Sequence, residues 1–390
     1  MNEPKLRFPE FSGEWEEKTL GEECEITAGG DIPKEKISKE KTEIYKVPII
    51  SNGIGNNAIY GYTDSPKITQ AAITISARGT IGYAEYREYP YYPIVRLLSV
   101  FPKDSTSLNT KYLSYILSIQ KYDVTNAGIP QLTVPMIGSV IFHIPPSPAE
   151  QRKIASCLSA MDDLIAAQAE KVEALKEKKT GMMQQLFPQP GETTPRLRFP
   201  EFTGEWEYTF GNELFEPITN KNHNSDLPIL ALTQDQGAVP REMISYNVIV
   251  SEKSVAGYKV VEVDDFIISL RSFQGGIEYS RYKGLCSPAY IVLRKKDKNT
   301  NSDFYRIYFK SFNYIQALNK NLEGIRDGKM ISYSQFSEIK LPSPSPAEQE
   351  KIAFCLSALD DQIAVETEKL TALKDYKKGL MQQLFPQPAK

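Results

Sequence analysis

Pro148-Ala149-Glu150-Gln151-Arg152-Lys153-Ile154-Ala155 opens a stretch that runs to Leu186-Phe187-Pro188-Gln189-Pro190. It returns as Pro346 to Pro388, with about 30 of 43 positions identical. Ser147 stands where a helix cap belongs. Pro148 takes the first helical position, where its missing N–H costs nothing, and Glu150 falls where it can reach back to the cap. Ser345-Pro346-Ala347-Glu348 repeats the arrangement. Beyond each cap, apolar residues recur at alternating spacings of three and four. The first copy shows Ile154, Leu158, Met161, Ile165, Val172, Leu175, Met182 and Leu186; the second shows Ile352, Leu356, Leu359, Ile363, Leu370, Leu373, Leu380 and Leu384. Such a seam, sustained over about five heptads, is that of a coiled coil. No Pro or Gly interrupts it before Gly181 and Gly379, and Pro188 and Pro386 stop the helices. At 1.5 Å per residue each helix spans roughly 60 Å.

Gln168 and Lys179 break one seam, and Glu366 and Lys377 break the other at matching positions. Matched polar breaks point to pairing between the two copies, with register set at some cost in stability. A bundle helix would share the periodicity. Against that alternative, each copy follows a long dissimilar stretch and has no second amphipathic helix beside it.

A shorter repeat frames the longer one. Leu6-Arg7-Phe8-Pro9-Glu10-Phe11 and Gly13-Glu14-Trp15-Glu16 return as Leu197-Arg198-Phe199-Pro200-Glu201-Phe202 and Gly204-Glu205-Trp206-Glu207. After Pro190 the chain runs through a few polar residues into Leu197, whereas after Pro388 it runs out at Lys390. The N-terminus supplies the missing continuation. The sequence thus reads as a two-unit circle cut at one of two equivalent joints, with termini close together, an approximate two-fold axis and antiparallel helix pairing. Between the frames, residues 16–145 and 208–342 show almost no mutual similarity. One scaffold is expected to present two different recognition surfaces.

Both inserts alternate short β-like runs with turn residues. In the first, Tyr45 to Ile50, Ala72 to Ile75 and Val95 to Val100 predict strands, and Tyr112 to Gln120 a helix. In the second, Val248 to Val250, Phe266 to Leu270 and Tyr290 to Leu293 predict strands, and Asp303 to Lys320 a helix. The loosely shared order implies one α+β fold: two mixed α/β domains separated by two long helices.

The chain has 390 residues, room for two domains each burying a core, and a net charge of −3. That balance lacks the basic excess common in nucleic-acid binders, so a DNA-binding face must be local or shared with a basic partner. No apolar run approaches 18 residues and no signal sequence opens the chain, so a cytoplasmic protein without a membrane association is expected. Cys24, Cys157, Cys286 and Cys355 form no Cys-x-x-Cys pair, and the only histidines are His143 and His223. A zinc site, a disulfide framework and a histidine relay are therefore not indicated, nor is there a phosphate loop. No catalytic or metal-ligating residue is expected.

The loops offer residue types that meet bases and phosphates. Asn52, Asn56 and Asn57 carry amides suited to adenine. Arg78 and Thr80 lie on the glycine turn Ser76-Ala77-Arg78-Gly79-Thr80-Ile81-Gly82, whose counterpart, Ser269 to Gly276, carries Arg271 and Gln274. A glycine turn brings backbone N–H groups close to phosphate while an arginine reaches a guanine. A plain β-turn with a solvated arginine is the alternative. Gln131 and, in the second insert, Arg326 and Lys329 occupy the last loops before the helices.

The whole pattern resembles the specificity subunit of type I restriction–modification systems. The residues that carry the resemblance are Trp15 and Trp206, Arg-Gly-Thr-Ile-Gly at 78–82, Pro-Ser-Pro-Ala-Glu-Gln-x-Lys-Ile around 145–154 and 343–352, and Met-Gln-Gln-Leu-Phe-Pro at 183–188 and 381–386. The second insert departs from it, with Arg271-Ser272-Phe273-Gln274-Gly275-Gly276 in place of the arginine–glycine run.

The resemblance implies a division into 1–14, completing the circular repeat; target recognition domain 1, 15–146; a spacer helix, 147–188; a linker, 189–205; target recognition domain 2, 206–344; and a second spacer helix, 345–388. Each domain would read half of a bipartite site in double-stranded DNA through the major groove. The spacer would dock two methyltransferase subunits, with restriction subunits joining the full complex. S-adenosylmethionine, and ATP and Mg2+ for restriction, would sit on those partners and none on this chain. A non-catalytic interaction scaffold and a stand-alone DNA-binding protein are the competing readings.

Overall fold

A computed structural model describes residues 3–122, 130–244, 255–270, 272, 276–320 and 331–386. The chain forms two compact units: Met1–Ala169 with Lys369–Lys390, and Glu170–Glu368. Each unit therefore contains one insert and one half of each repeated helix.

The repeated helices run Pro148–Leu186 and Pro346–Leu384, 39 residues each. In the first unit Ile154 and Leu158 share a core with Met381, Leu384 and Phe385, and Lys377 meets Asp162. In the second, Ile352, Leu356 and Leu359 share a core with Leu186 and Phe187, and Lys179 meets Asp360 at 2.5 Å. Within each unit the two helical halves thus run in opposite directions. Met161, Ile165, Leu175, Ile363, Leu370 and Leu373 are half-buried, and Val172 is buried. Of the polar breaks, Lys179 and Lys377 each reach an aspartate of the facing helix, and Glu366 takes Lys171 at 2.9 Å.

The helix starts depart from the expected capping box. Glu150 is fully buried and accepts from Arg7 Nε and Nη2, both at 2.8 Å, instead of reaching back to Ser147. Glu348 receives Arg198 in the same bidentate way. A buried carboxylate gains more from a planar guanidinium than from a single cap N–H. Gln151 accepts from the Asn109 N–H at 2.8 Å, and Gln349 from the Asn301 N–H at 2.9 Å. Asn109 and Asn301 in turn cap the helices Thr110–Ile119 and Ser302–Tyr308. The Glu-Gln pair of each repeat thus holds the N-terminal frame with one side chain and the insert with the other. Leu6 N–H bonds the Gln383 carbonyl at 3.0 Å, just as Leu197 N–H bonds that of Gln185 at 3.0 Å.

Each insert is closed at its base by an antiparallel strand pair, Glu16–Thr19 with Ile141–Ile144 and Glu207–Phe210 with Lys340–Ser343. Next comes a four-stranded antiparallel sheet. Its order is Cys24–Ala28, Leu98–Pro102, Ala72–Ile75, Ala84–Arg87 in the first unit and Phe215–Ile218, Ile291–Lys295, Phe266–Ile268, Glu278–Tyr279 in the second. Ala72, Ile73, Thr74 and Ile75 are all buried, so this central strand reads as a continuous run without alternation. The second layer differs. The first unit adds a four-stranded sheet of Ile37–Ser38, Ile59–Thr63, Val47–Ile50 and Tyr92–Pro93. The second adds two separate pairs, Leu230–Thr233 with Gly237–Pro240 and Lys259–Val261 with Gly284–Cys286.

Two predicted elements are corrected. The strand expected from Val95 starts at Leu98, because Val95 and Arg96 have φ of +52° and +59° and form a turn. The helix expected over Asp303 to Lys320 is two, Ser302–Tyr308 and Phe312–Lys320. Phe309, between them, is fully buried against Phe215, Phe266 and Phe336, and that burial outweighs helix continuity. The strand expected at Val248 to Val250 lies outside the described residues.

Candidate functional site

In the first unit the structure gathers three of the singled-out residues into one network. The strand Ala72–Ile75 leads into a turn closed by Ser76 N–H to Tyr83 O and Gly82 N–H to Ser76 O, both 2.9 Å. Gly79 and Gly82 take φ of +69° and +84°, and a Cβ on Gly82 would lie 2.7 Å from the Tyr122 ring, so only glycine fits there. Asn52 Oδ1 accepts from the N–H groups of Ala77 at 2.7 Å and Arg78 at 3.3 Å, while its Nδ2 donates to the Val95 carbonyl at 2.7 Å. The Asn52 amide is thereby engaged within the protein, and its role here is to hold the turn.

Arg78 donates from Nε at 2.9 Å and Nη2 at 2.6 Å to Gln131 Oε1. Leu132 N–H bonds the Ala77 carbonyl at 3.0 Å, which brings the Gln131 segment alongside. This contact uses the side-on edge of the guanidinium and leaves the end-on edge available. That edge has the geometry of a bidentate donor to guanine O6 and N7. Thr80 is exposed at the tip of the same turn. Asn56 and Asn57 are exposed on the 3-10 turn Gly55–Ala58, whose Gly55 backbone meets the Tyr83 hydroxyl.

In the second unit Arg271, Gln274, Arg326 and Lys329 lie outside the described residues. Ser269, Ser272 and Gly276, near the first two of them, are described. Ser272 Oγ accepts from the Ser269 N–H at 2.8 Å, and Gly276 N–H bonds the Ser272 carbonyl at 2.9 Å. A Cβ on Gly276 (φ +78°) would stand 2.0 Å from the Phe309 carbonyl oxygen. Glu278, buried on the strand Glu278–Tyr279, pairs with Lys310 at 2.7 Å; burial pushes its carboxyl pKa up and the lysine opposes the shift. The sequence reading missed this pair, whose members lie 32 residues apart with no local motif. It also missed the Val95–Arg96 turn, for which the pair Gly29-Gly30, a mark of close backbone approach, was the available signal.

Cys24 and Cys286 are buried, and desolvation pushes both thiols up to about 12, so neither is a nucleophile near neutral pH. Among the described residues no group of His, Cys, Asp and Glu side chains could hold a metal, and no helix is long and apolar enough to cross a membrane.

Known proteins converge on one family. The family model for the type I restriction modification DNA specificity domain matches residues 12–177 and again 205–375. A Methanocaldococcus jannaschii protein described as the type I restriction enzyme MjaX specificity subunit is 25% identical over 98% of this chain and 96% of its own length. A Mycoplasma pneumoniae protein described as type I specificity subunit S.MpnORF507P is 35% identical over a shorter stretch, 35% of this chain and 36% of that protein. Among solved structures, a type I restriction–modification S subunit from M. genitalium superposes with a TM-score of 0.63 at 16% identity, covering 99% of this chain and 100% of that one. A chain from work on complex assembly and conformational transition of the type I R-M system gives 0.54 at 14% identity over 95% and 97%. With its specificity domain matched twice in succession, this chain belongs to the type I restriction–modification DNA specificity family.

Proposed function

We propose that this chain is the non-catalytic DNA-reading subunit of a type I restriction–modification complex, each insert reading one half of a bipartite site through the major groove. The observation that carries this reading is the Asn52–Arg78–Gln131 network, which presents a preset arginine edge on one of two dissimilar domains set in one repeated frame. In the first domain Arg78 reads a guanine, Gln131 sets its orientation, and Asn56, Asn57 and Thr80 flank it. Arg271, Gln274, Arg326 and Lys329 serve the second domain. The two long helices act as an antiparallel coiled-coil spacer with approximate two-fold symmetry, which sets the gap between half-sites. Their outer faces dock two methyltransferase subunits, and restriction subunits join the full assembly. S-adenosylmethionine, ATP and Mg2+ belong to those partners. DNA advances roughly 3.4 Å per base pair, so adding one heptad, about 10 Å, lengthens the gap by whole base pairs.

Mapping modified bases across the host genome tests this. Two half-sites at a constant gap are expected, with only one of them changed when residues 16–145 are replaced by the insert of a related protein. A single continuous motif, or a change in both halves, would overturn the reading.

A further inference from the structure

Two consecutive residues of the first domain, Val95 and Arg96, hold left-handed backbone angles. A β-branched residue there is a steric outlier, whereas glycine adopts the conformation freely. Such strain persists only where the surroundings over-determine it. Here Val95 N–H donates to the Gly30 carbonyl at 2.9 Å and Arg96 N–H to that of Gly29 at 3.0 Å. The Val95 carbonyl is held by Asn52, the same amide that holds the Arg78 turn. One side chain therefore locks the two arginine-bearing turns together.

Arg96 is exposed, and among the described residues its guanidinium has no hydrogen bond or salt bridge. Lys67 adds a second cation, its Nζ 3.4 Å from where a Cβ on Gly30 would stand, and Asp31, next to Gly30 in the chain, is exposed. Glycine at position 96 could keep the backbone bond and remove the strain. Among the described residues nothing accounts for an arginine there, whereas an anion outside the chain does.

We infer that Arg96 grips a DNA phosphate next to the base that Arg78 reads, an inference that rests on the DNA-reading function proposed above. A phosphodiester oxygen suits a free guanidinium, and such a contact orients a domain on the duplex without reading sequence. The shared Asn52 sets the spacing between the gripping and the reading arginine.

The test uses the full chain and a fluorescein-labelled random-sequence duplex, titrated by anisotropy over a salt series. Each phosphate contact contributes about 0.9 to the slope of log K against log salt, so Arg96→Gly and Arg96→Asn should flatten the slope by about 0.9. At about 0.1 M salt they should weaken binding roughly eightfold. Arg96→Lys should recover most of both effects, and the melting temperature of Arg96→Gly should not fall below that of the parent chain. An affinity loss without a change in slope would mark a structural role and overturn the inference. Unchanged affinity and slope in both neutral variants would overturn it while leaving the DNA-reading function standing. Absence of salt-dependent binding by the parent chain would overturn both.

Discussion

The two inserts are alike where they touch the repeated helices and unlike farther out. Their four-stranded sheets share one strand order, and each sends a capped helix to the same glutamine of the repeat. Among the described residues their outer layers differ: a four-stranded sheet in one, and in the other a hairpin and a pair of strands distant in the chain. The difference teaches where sequence freedom lies. The inner layer must fit a fixed partner, so its topology is held even though its residues differ. Among the described residues the outer layer packs only on the inner sheet of its own insert, through Ile50 and Ala58 against Ala72 and Phe101 in one and Leu230 and Val261 against Ile267 and Val292 in the other, so its topology is freer to differ.

The comparison breaks most readily at the plugs that join helix to insert. Phe187 is fully buried, with rings 5.5 Å from Phe304 and 5.3 Å from Tyr308; Phe385 sits 5.7 Å from Tyr112 in the other unit. Phe187→Ala should cost about 3–5 kcal/mol and Phe385→Ala a similar amount. Hydrogen exchange should show the first loosening Ser302–Tyr308 and the second loosening Thr110–Ile119.

The arginine clamps sharpen the comparison. Glu348 also receives the Trp206 indole N–H at 3.1 Å, whereas the Trp15 indole nitrogen, though buried, has no hydrogen-bond partner among the described residues. Arg7→Ala should therefore cost about 3 kcal/mol, because Glu150 is left buried and unpaired. Arg198→Ala should cost about 1 kcal/mol less, since one charged hydrogen bond survives. Urea unfolding of both variants checks the order.

At the proposed reading surface, Arg78→Ala should lose about 1–3 kcal/mol of discrimination at one base of the first half-site and leave the second half-site untouched. Gln131→Leu should shift the same base by less, because it frees the arginine without removing it. Competition binding against single-base variants of the mapped site measures both. The smallest effect is expected at the aspartates: Asp360→Asn removes the charge that faces Lys179 and Arg306, and Asp162→Asn the charge that faces Lys377 beside the Tyr115 hydroxyl. These sites are partly exposed, so each change should cost about 0.5–1 kcal/mol. Thermal melts at low and high salt should show the cost shrinking with salt, more for Asp360, which faces two cations.

Much of the frame was legible in the chain. Long helices announce themselves through periodicity, and the repeats located both of them to within a few residues. The helix at Thr110–Ile119 was legible for the same local reason, and the strand at Ala72–Ile75 as a short β-branched, apolar run. The site was only half legible. Asn52, Arg78 and Gln131 stood out as residue types, but 53 residues separate Arg78 from Gln131, and nothing local distinguishes an amide that reads a base from one that holds a turn. The direction of Glu150 was misjudged likewise, since its partner Arg7 lies 143 residues away.

By itself, the sequence determined the duplication, the two long helices and the order of the inserts, because helix periodicity depends on residues three or four apart. Only the tertiary structure decided which charge meets which, that Asn52 serves the fold, and that Val95 and Arg96 turn left-handed. Those outcomes depend on burial and on hydrogen-bond partners supplied by distant segments, and no local pattern encodes them.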